Sequence, residues 1–287
     1  MPQGVSIGGV RIGGLTAERA RSGLRWWYNR RIHFVFRGKR WSVRPAALGA
    51  SVDLDDATER ALKASAGQRL ALRVNVDQRT IRRYVRGLDE RLSIPAQDAT
   101  ASLAGLQPVI QEGKWGLKLN VARTMQRLNA ALAVADRPIV RVASRPVAPT
   151  VTSDGFGPVI VIHRGSNELF VYDGERPWRT IPVATGQAIY PTPLGEWSIV
   201  DMQRDPWWRP PDSDWAKGLK PIPPGPGNPL GTRWMGLSAP GVGMHGTPDA
   251  ASIGYSASHG CIRMRIPDAE WLFNQVHIGT PVFIVSA

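Results

Sequence analysis

Cysteine occurs once in this 287-residue chain, in the stretch "YSASHGCIRMR" (255–265), where Cys261 follows His259 by two positions and precedes Arg263 by two. A thiol attacks a carbonyl as its thiolate, so it needs a base or a cation within hydrogen-bond reach to lower its pKa from about 8.5. Two histidines qualify by position. His259 is adjacent, and His245, in "GVGMHGTPD", ends an apolar run where a strand would deliver it to a loop. Gly246 and Gly260 beside them allow tight turns and close backbone approach. The amides around Gly260 and Cys261 are placed to donate to an oxyanion, as at sharp turns that carry nucleophiles. If the chain leaves the turn as a strand, Arg263 falls on the same side as Cys261, because side chains alternate with period two. A guanidinium there suits a bidentate grip on a substrate carboxylate and also favours the thiolate.

Two other readings compete. A lone cysteine is most often a buried small hydrophobe, but a His-Gly pair on one side and an arginine on the other argue against that. Zinc accepts mixed N and S ligands, which nominates His163, His245, His259 and Cys261. His259 and Cys261 are too close for the usual ligand spacing, and no second cysteine or carboxylate completes the set. The residues therefore call for neither a metal nor a cofactor. One cysteine also excludes an internal disulfide framework, and His33 and His277 read as ordinary surface or core residues.

The elements that must position this chemistry fall into two halves. Residues 1–150 carry 26 basic and 11 acidic side chains, while 151–287 carry 10 and 12. The first half is thus at +15 and the second at −2, a split that suggests two domains with different partners. A basic half attracts nucleic acid, anionic lipid headgroups or an anionic polymer, although 22 of its 26 cations are arginine, as a GC-rich genome favours. Amphipathic runs in "LTAERARSGLRWW", "LDDATERALKAS", "TIRRYVRGLDERL" and "NVARTMQRLNAAL", with a hairpin in "IHFVFRGKRWSV", predict an N-terminal α+β domain over 1–150. The Pro/Ser/Thr/Gly stretch "VASRPVAPTVTSDGFG" is the linker candidate.

Beyond it, short strand-like runs ("VIVIH", "ELFVYD", "GEWSIVDM", "TPVFIVS") alternate with turns, and "PDAEWLFNQV" alone reads as a good helix. Residues 151–287 are therefore expected to form a mainly β sandwich or barrel, with a short helix after the cysteine turn. Eight prolines and four tryptophans lie between Arg204 and Gly236. Proline removes donors and fixes φ, so this segment predicts a long ordered loop, of the kind used as lids and binding walls. No apolar run approaches the roughly 18 residues of a membrane-spanning helix.

"MHGTPDAASIGYSASHGCIRM" resembles the signature of the L,D-transpeptidase catalytic domain (YkuD-type): a His-Gly, a spacer, then Ser/Thr-His-Gly-Cys, an apolar residue and Arg or Asn. "VATGQAIYPTPLGEWSI" and "NPLGTRWMGL" are similar to further landmarks of that family, and the likeness runs from about 158 to 286. The resemblance implies that Cys261 attacks the carbonyl of an L-centre diamino acid in a peptidoglycan tetrapeptide stem. The terminal D-alanine leaves, and the thioester passes to an amine of a second stem, giving a 3→3 crosslink. It makes Cys261 the nucleophile, His245 the base and acid, and Gly246 the carbonyl that orients His245. Ser258, His259 and Gly260 then shape the turn and oxyanion site, while Arg263 and Trp234 contact substrate.

"SIPAQDATASLAGLQPVIQEGKWGLKLNVARTMQRLNAAL" resembles, more loosely, the peptidoglycan-binding domain that often precedes this catalytic domain. Stem peptides and glycan are then the partners, not nucleic acid, with anionic wall polymers or the outer membrane leaflet attracting the basic half. Carbapenem sensitivity follows from the same resemblance. Such enzymes work outside the cytoplasm, so the resemblance implies that the sequence starts after a leader. An L,D-carboxypeptidase using water, and a wall-binding protein without catalysis, are the rival functions.

Overall fold

The computed structural model describes residues 1–134 and 136–287. They form two compact units, each assembled from two stretches of chain: 1–96 with 115–148, and 97–114 with 149–287.

The first unit is α+β. Helix α1 (Ala17–Tyr28) is capped by Thr16, whose hydroxyl accepts from the Arg19 amide, and it buries Ala20, Leu24, Trp27 and Tyr28. Their three- and four-residue spacing is the period of a helix that turns one face inward. Helices α2 (Leu54–Leu62), α3 (Gln78–Leu92) and α4 (Val121–Ala133) are capped by Asp53, Asp77 and Asn120 and bury matching stripes. The hairpin Ile32–Phe36/Lys39–Val43 turns on Arg37 and Gly38, both at positive φ. That geometry matches the twist of a two-residue hairpin turn.

The second unit is mainly β. Its eight-stranded sheet comprises β1 (Pro158–His163), β2 (Glu168–Asp173), β3 (Arg176–Pro182), β4 (Gly195–Arg204), β5 (Arg233–Leu237), β6 (Gly243–Thr247), β7 (Ile262–Arg265) and β8 (Pro281–Val285). They run in the order β3-β2-β1-β8-β4-β5-β6-β7. The β1·β8 and β6·β7 pairs are parallel and the others antiparallel.

The unbroken apolar run of β1 has a direct cause, since the strand is covered on both faces. Ile160 and Ile162 enter the main core with Leu169, Val171 and Ile284. Val159 and Val161 face a second cluster with Ala99, Phe156, Tyr172 and Phe283. The hairpin Thr100–Ala104/Gln107–Gln111 supplies Ala101, Leu103 and Ile110 to that cluster. This burial is why 97–114 belongs to the second unit.

Strand β4 pairs with β8 through 195–198 and with β5 through 199–204, with a register shift between Ile199 and Asp201. A bulge of this kind bends a strand, and here it lets one strand serve two sections of sheet. Helix α5 (Ile266–Gln275) carries Pro267 in its first turn and packs Ala269, Leu272 and Phe273 against β5, β6 and β7. The strands that carry the histidine and the turn of the cysteine are therefore backed by a helix.

Candidate active site

Parallel pairing of β6 with β7 sets His245 opposite Arg263. Met244, Ile262 and Met264 are fully buried in the core, so alternation sends His245 and Arg263 to the other side. There they line a cavity of about 1120 Å³ together with Cys261, Ser258, His259 and Trp234. Seven of the eight residues singled out from sequence thus meet at this cavity or in its turn, and the eighth, Gly246, binds His245. Residue His163 lies on β1 with its ring 4.4 Å from that of Phe170, and it does not line the cavity. No group of three or more His, Cys, Asp or Glu able to hold a metal occurs among the described residues.

His245 is 4% exposed, and its Nδ1 lies 2.6 Å from the Gly246 carbonyl oxygen. A carbonyl only accepts, so Nδ1 carries the proton and Nε2 presents a lone pair. Burial pushes the imidazole pKa down to about 4, with Arg263 adding to the shift and the Gly246 bond opposing it. The Trp234 ring stacks on the imidazole with centroids 5.9 Å apart. A side chain at Gly243 would meet that indole at 2.3 Å, so a bare backbone is what lets it lie there.

Cys261 is half-buried, and its thiol donates to the Gly241 carbonyl at 3.8 Å. Burial pushes the thiol pKa up, and neither the Gly243 amide nor Arg263 overcomes it. At neutral pH the resting groups are consequently a thiol and a neutral imidazole. Arg263 is anchored by backbone bonds in both directions with Ala184, each 2.9 Å, and its guanidinium lies 3.8 Å from the Asp249 carboxylate. A loose partner at that distance can be exchanged for a substrate carboxylate.

The turn is fixed from within and from outside. Gly260 sits at φ +110°, where a side chain would be strained. The Ser258 hydroxyl accepts from the Gly260 amide at 3.1 Å and donates to the Cys261 carbonyl at 2.5 Å. Of the two amides expected to face an oxyanion, that of Gly260 is therefore already engaged. His259 stacks on Trp215 at 4.1 Å and leans on Tyr190 at 5.1 Å, so its ring joins the turn to the Trp-Pro loop.

Two contributors were missed by sequence reasoning. Thr192, fully buried, accepts from the Gly186 amide at 2.8 Å and donates to the Gly260 carbonyl at 2.9 Å. Both residues lie in a stretch that resembles a family landmark, yet nothing local marks a bond that spans 68 positions.

The second is Asn228, 1% exposed, inside the Trp-Pro loop. Its side-chain amide donates to the carbonyls of Pro206, Ile222 and Pro223 at 2.7, 3.3 and 3.1 Å, and its oxygen accepts from Leu230 at 2.8 Å. Prolines bring carbonyls without N–H groups, so a proline-rich loop is short of donors, and the one asparagine in it is the signal that was available. The loop brings Trp207, Trp208 and Trp215 to the cavity. Asn228→Ala should destabilise the protein by about 1–3 kcal/mol through the carbonyls left unpaired. Thermal unfolding together with limited proteolysis within 205–231 would show it, and an unchanged cleavage pattern would refute it.

Comparison with known proteins places these features. Residues 157–284 match the family model "L,D-transpeptidase catalytic domain", and 41–140 match "Putative peptidoglycan binding domain". "Putative L,D-transpeptidase YqjB" of Bacillus subtilis is 33% identical over 134 residues, 45% of this chain and 72% of that protein. "Putative L,D-transpeptidase YkuD" of the same organism is 34% identical over 125 residues, 44% of this chain and 64% of its own length. A crystal structure of L,D-transpeptidase 3 from Mycobacterium tuberculosis is 16% identical, covering 71% of this chain and 86% of its own, with a TM-score of 0.41. Matched through its catalytic half and through most of YqjB, the chain belongs to the L,D-transpeptidase family of YkuD type, with a peptidoglycan-binding domain ahead of its catalytic domain.

Proposed function

We propose that the protein is a cysteine L,D-transpeptidase that crosslinks peptidoglycan stems through a thioester on Cys261. The observation that carries this reading is the convergence of His245, Cys261 and Arg263 on one cavity, with the His245 tautomer held by Gly246. A neutral imidazole whose Nε2 is unprotonated is a base ready to use, and the Gly246 carbonyl does the orienting that a carboxylate does in a Ser-His-Asp triad.

As Sγ attacks the carbonyl carbon of the diamino acid's L-centre, Nε2 takes the thiol proton and the carbonyl π pair moves to oxygen. Collapse of the oxyanion breaks the C–N bond, and the D-alanine nitrogen leaves with the proton from Nε2. The amine of a second stem then attacks the thioester, giving up its proton to Nε2, and the 3→3 crosslink forms as the thiol is restored. Arg263 holds a substrate carboxylate, and Trp234 supplies a flat wall beside it.

Incubation with a disaccharide tetrapeptide should release D-alanine and yield a crosslinked dimer by mass spectrometry. D-alanine without dimer would make water the acceptor and the protein an L,D-carboxypeptidase. Neither product from protein with a titratable thiol would overturn the reading. A carbapenem adduct on Cys261, lost in Cys261→Ala, tests the nucleophile alone.

The peptidoglycan-binding and catalytic domains imply a cell-wall location, and no helix among the described residues is long and apolar enough to cross a membrane. Attraction of the basic half to anionic wall polymer or to the membrane surface has a specific candidate in α3. Exposed Arg79, Arg82, Arg83 and Arg86 border an open groove of about 640 Å³, while Ile81, Val85 and Leu88 face the core. Joint replacement of Arg82, Arg83 and Arg86 by glutamate should weaken binding to sacculi about tenfold at low salt and little at 1 M, where the Debye length falls to about 3 Å. Sedimentation with teichoic-acid-containing sacculi and with anionic vesicles separates the two partners, and unchanged binding to both would exclude α3.

A further inference from the structure

We propose that Thr192 is a positioning residue for acylation, acting by holding the Gly260–Cys261 peptide so that the Cys261 amide faces the developing oxyanion. The inference rests on the thioester reading above. Its premises are the hydrogen bonds of the turn. A threonine hydroxyl has one proton, and here its oxygen already accepts from the Gly186 amide at 2.8 Å. The proton is thus directed onto the Gly260 carbonyl, 2.9 Å away. No peptide bond in the chain is cis among the described residues, so the Gly260 carbonyl and the Cys261 N–H point in opposite directions from one plane. Fixing the carbonyl toward buried Thr192 therefore turns the amide the other way, to the side on which Cys261 meets the cavity.

An accounting of the remaining groups supports the assignment. The Gly260 amide donates to Ser258, and the Cys261 carbonyl accepts from Ser258. The Cys261 amide, like that of His259, has no hydrogen-bond partner among the described residues. A donor left open beside a nucleophile is the group a tetrahedral intermediate requires, and it acts only if its direction is set beforehand. Gly186 completes the device. A Cβ there would lie 2.2 Å from the Tyr190 carbonyl oxygen and 2.5 Å from the Thr192 nitrogen, so only glycine lets the threonine approach.

During attack the C=O π pair moves to oxygen as the S–C bond forms, and the Cys261 amide meets that charge. When the pair returns and the C–N bond breaks, the amide is free again. Alkylation of the thiol by iodoacetamide forms an S–C bond by displacing iodide and creates no oxyanion, so it supplies a reaction blind to this role.

The test compares Thr192→Val, Thr192→Ala and Thr192→Ser with the parent in two assays: acylation by a carbapenem or tetrapeptide, and alkylation by iodoacetamide. Valine and alanine should slow acylation about 10- to 100-fold, in kcat rather than KM, with alkylation within about twofold of the parent. Serine, which keeps the hydroxyl, should restore most of the rate. Equal loss in both assays, or a serine variant as slow as valine, would show that Thr192 serves packing alone and overturn the inference. A parent that alkylates but never acylates would instead refute the thioester reading, leaving the two failures distinct.

Discussion

Replacement of Cys261 by alanine should abolish acyl-enzyme formation, lowering turnover of a tetrapeptide by at least ~10⁴-fold, the scale seen when an enzyme loses its nucleophile. The fold should survive. Cys261 is half-buried and donates one long hydrogen bond, so its removal opens no cavity in the main core, of which it is not a part. Intact-mass measurement after exposure to a carbapenem gives the reading: one adduct on the parent, none on the variant, with equal melting temperatures. An adduct that persists in Cys261→Ala would move the nucleophile to another side chain.

His245→Ala should slow acylation by at least ~100-fold, the usual contribution of a general base. The pH dependence sharpens this. The imidazole must be neutral to accept the thiol proton, and its pKa lies near 4 rather than at the ordinary 6.5. A lowered pKa keeps the base form as the pH falls, so kcat/KM should stay level from about pH 7 to 5 and drop only as the pH passes through about 4. Stopped-flow acylation of the free enzyme reports this limb directly. An acid limb that vanishes in His259→Ala but persists in His245→Ala would move the base to His259 and overturn this assignment.

The candidate site was legible to the extent that it is local. "SHGC", the arginine after it and the His-Gly upstream lie within nineteen positions, and the strand alternation that places Cys261 and Arg263 on one side follows from spacing. What holds the turn was not legible. Thr192 reaches Gly260, and Asn228 reaches Pro206, only after the chain has folded, and a threonine or asparagine in a loop has many bland reasons to be there.

The fold shows the same division. The amphipathic helices of the first unit, and α5 with a proline in its first turn, are short-range effects and were readable. The hairpin at 100–111 lies in a segment resembling the preceding domain, yet its apolar face is buried against Val159 and Tyr172 of the second unit. Alternation states that such a face needs covering and is silent on what covers it.

The ends of the Trp-Pro loop carry one more consequence. Arg204 and Arg233 are directly paired across β4 and β5, with Gln203 opposite Trp234 next to them. The whole excursion is thus an insertion at the tip of a hairpin whose stem is already closed by the sheet. The entropy of closing a longer or shorter insertion there changes only slowly with its length. On the proposed reading, the loop that walls the substrate cavity can therefore vary in length while β6 and β7 keep His245 and Arg263 in place, as long as Trp215 still meets His259.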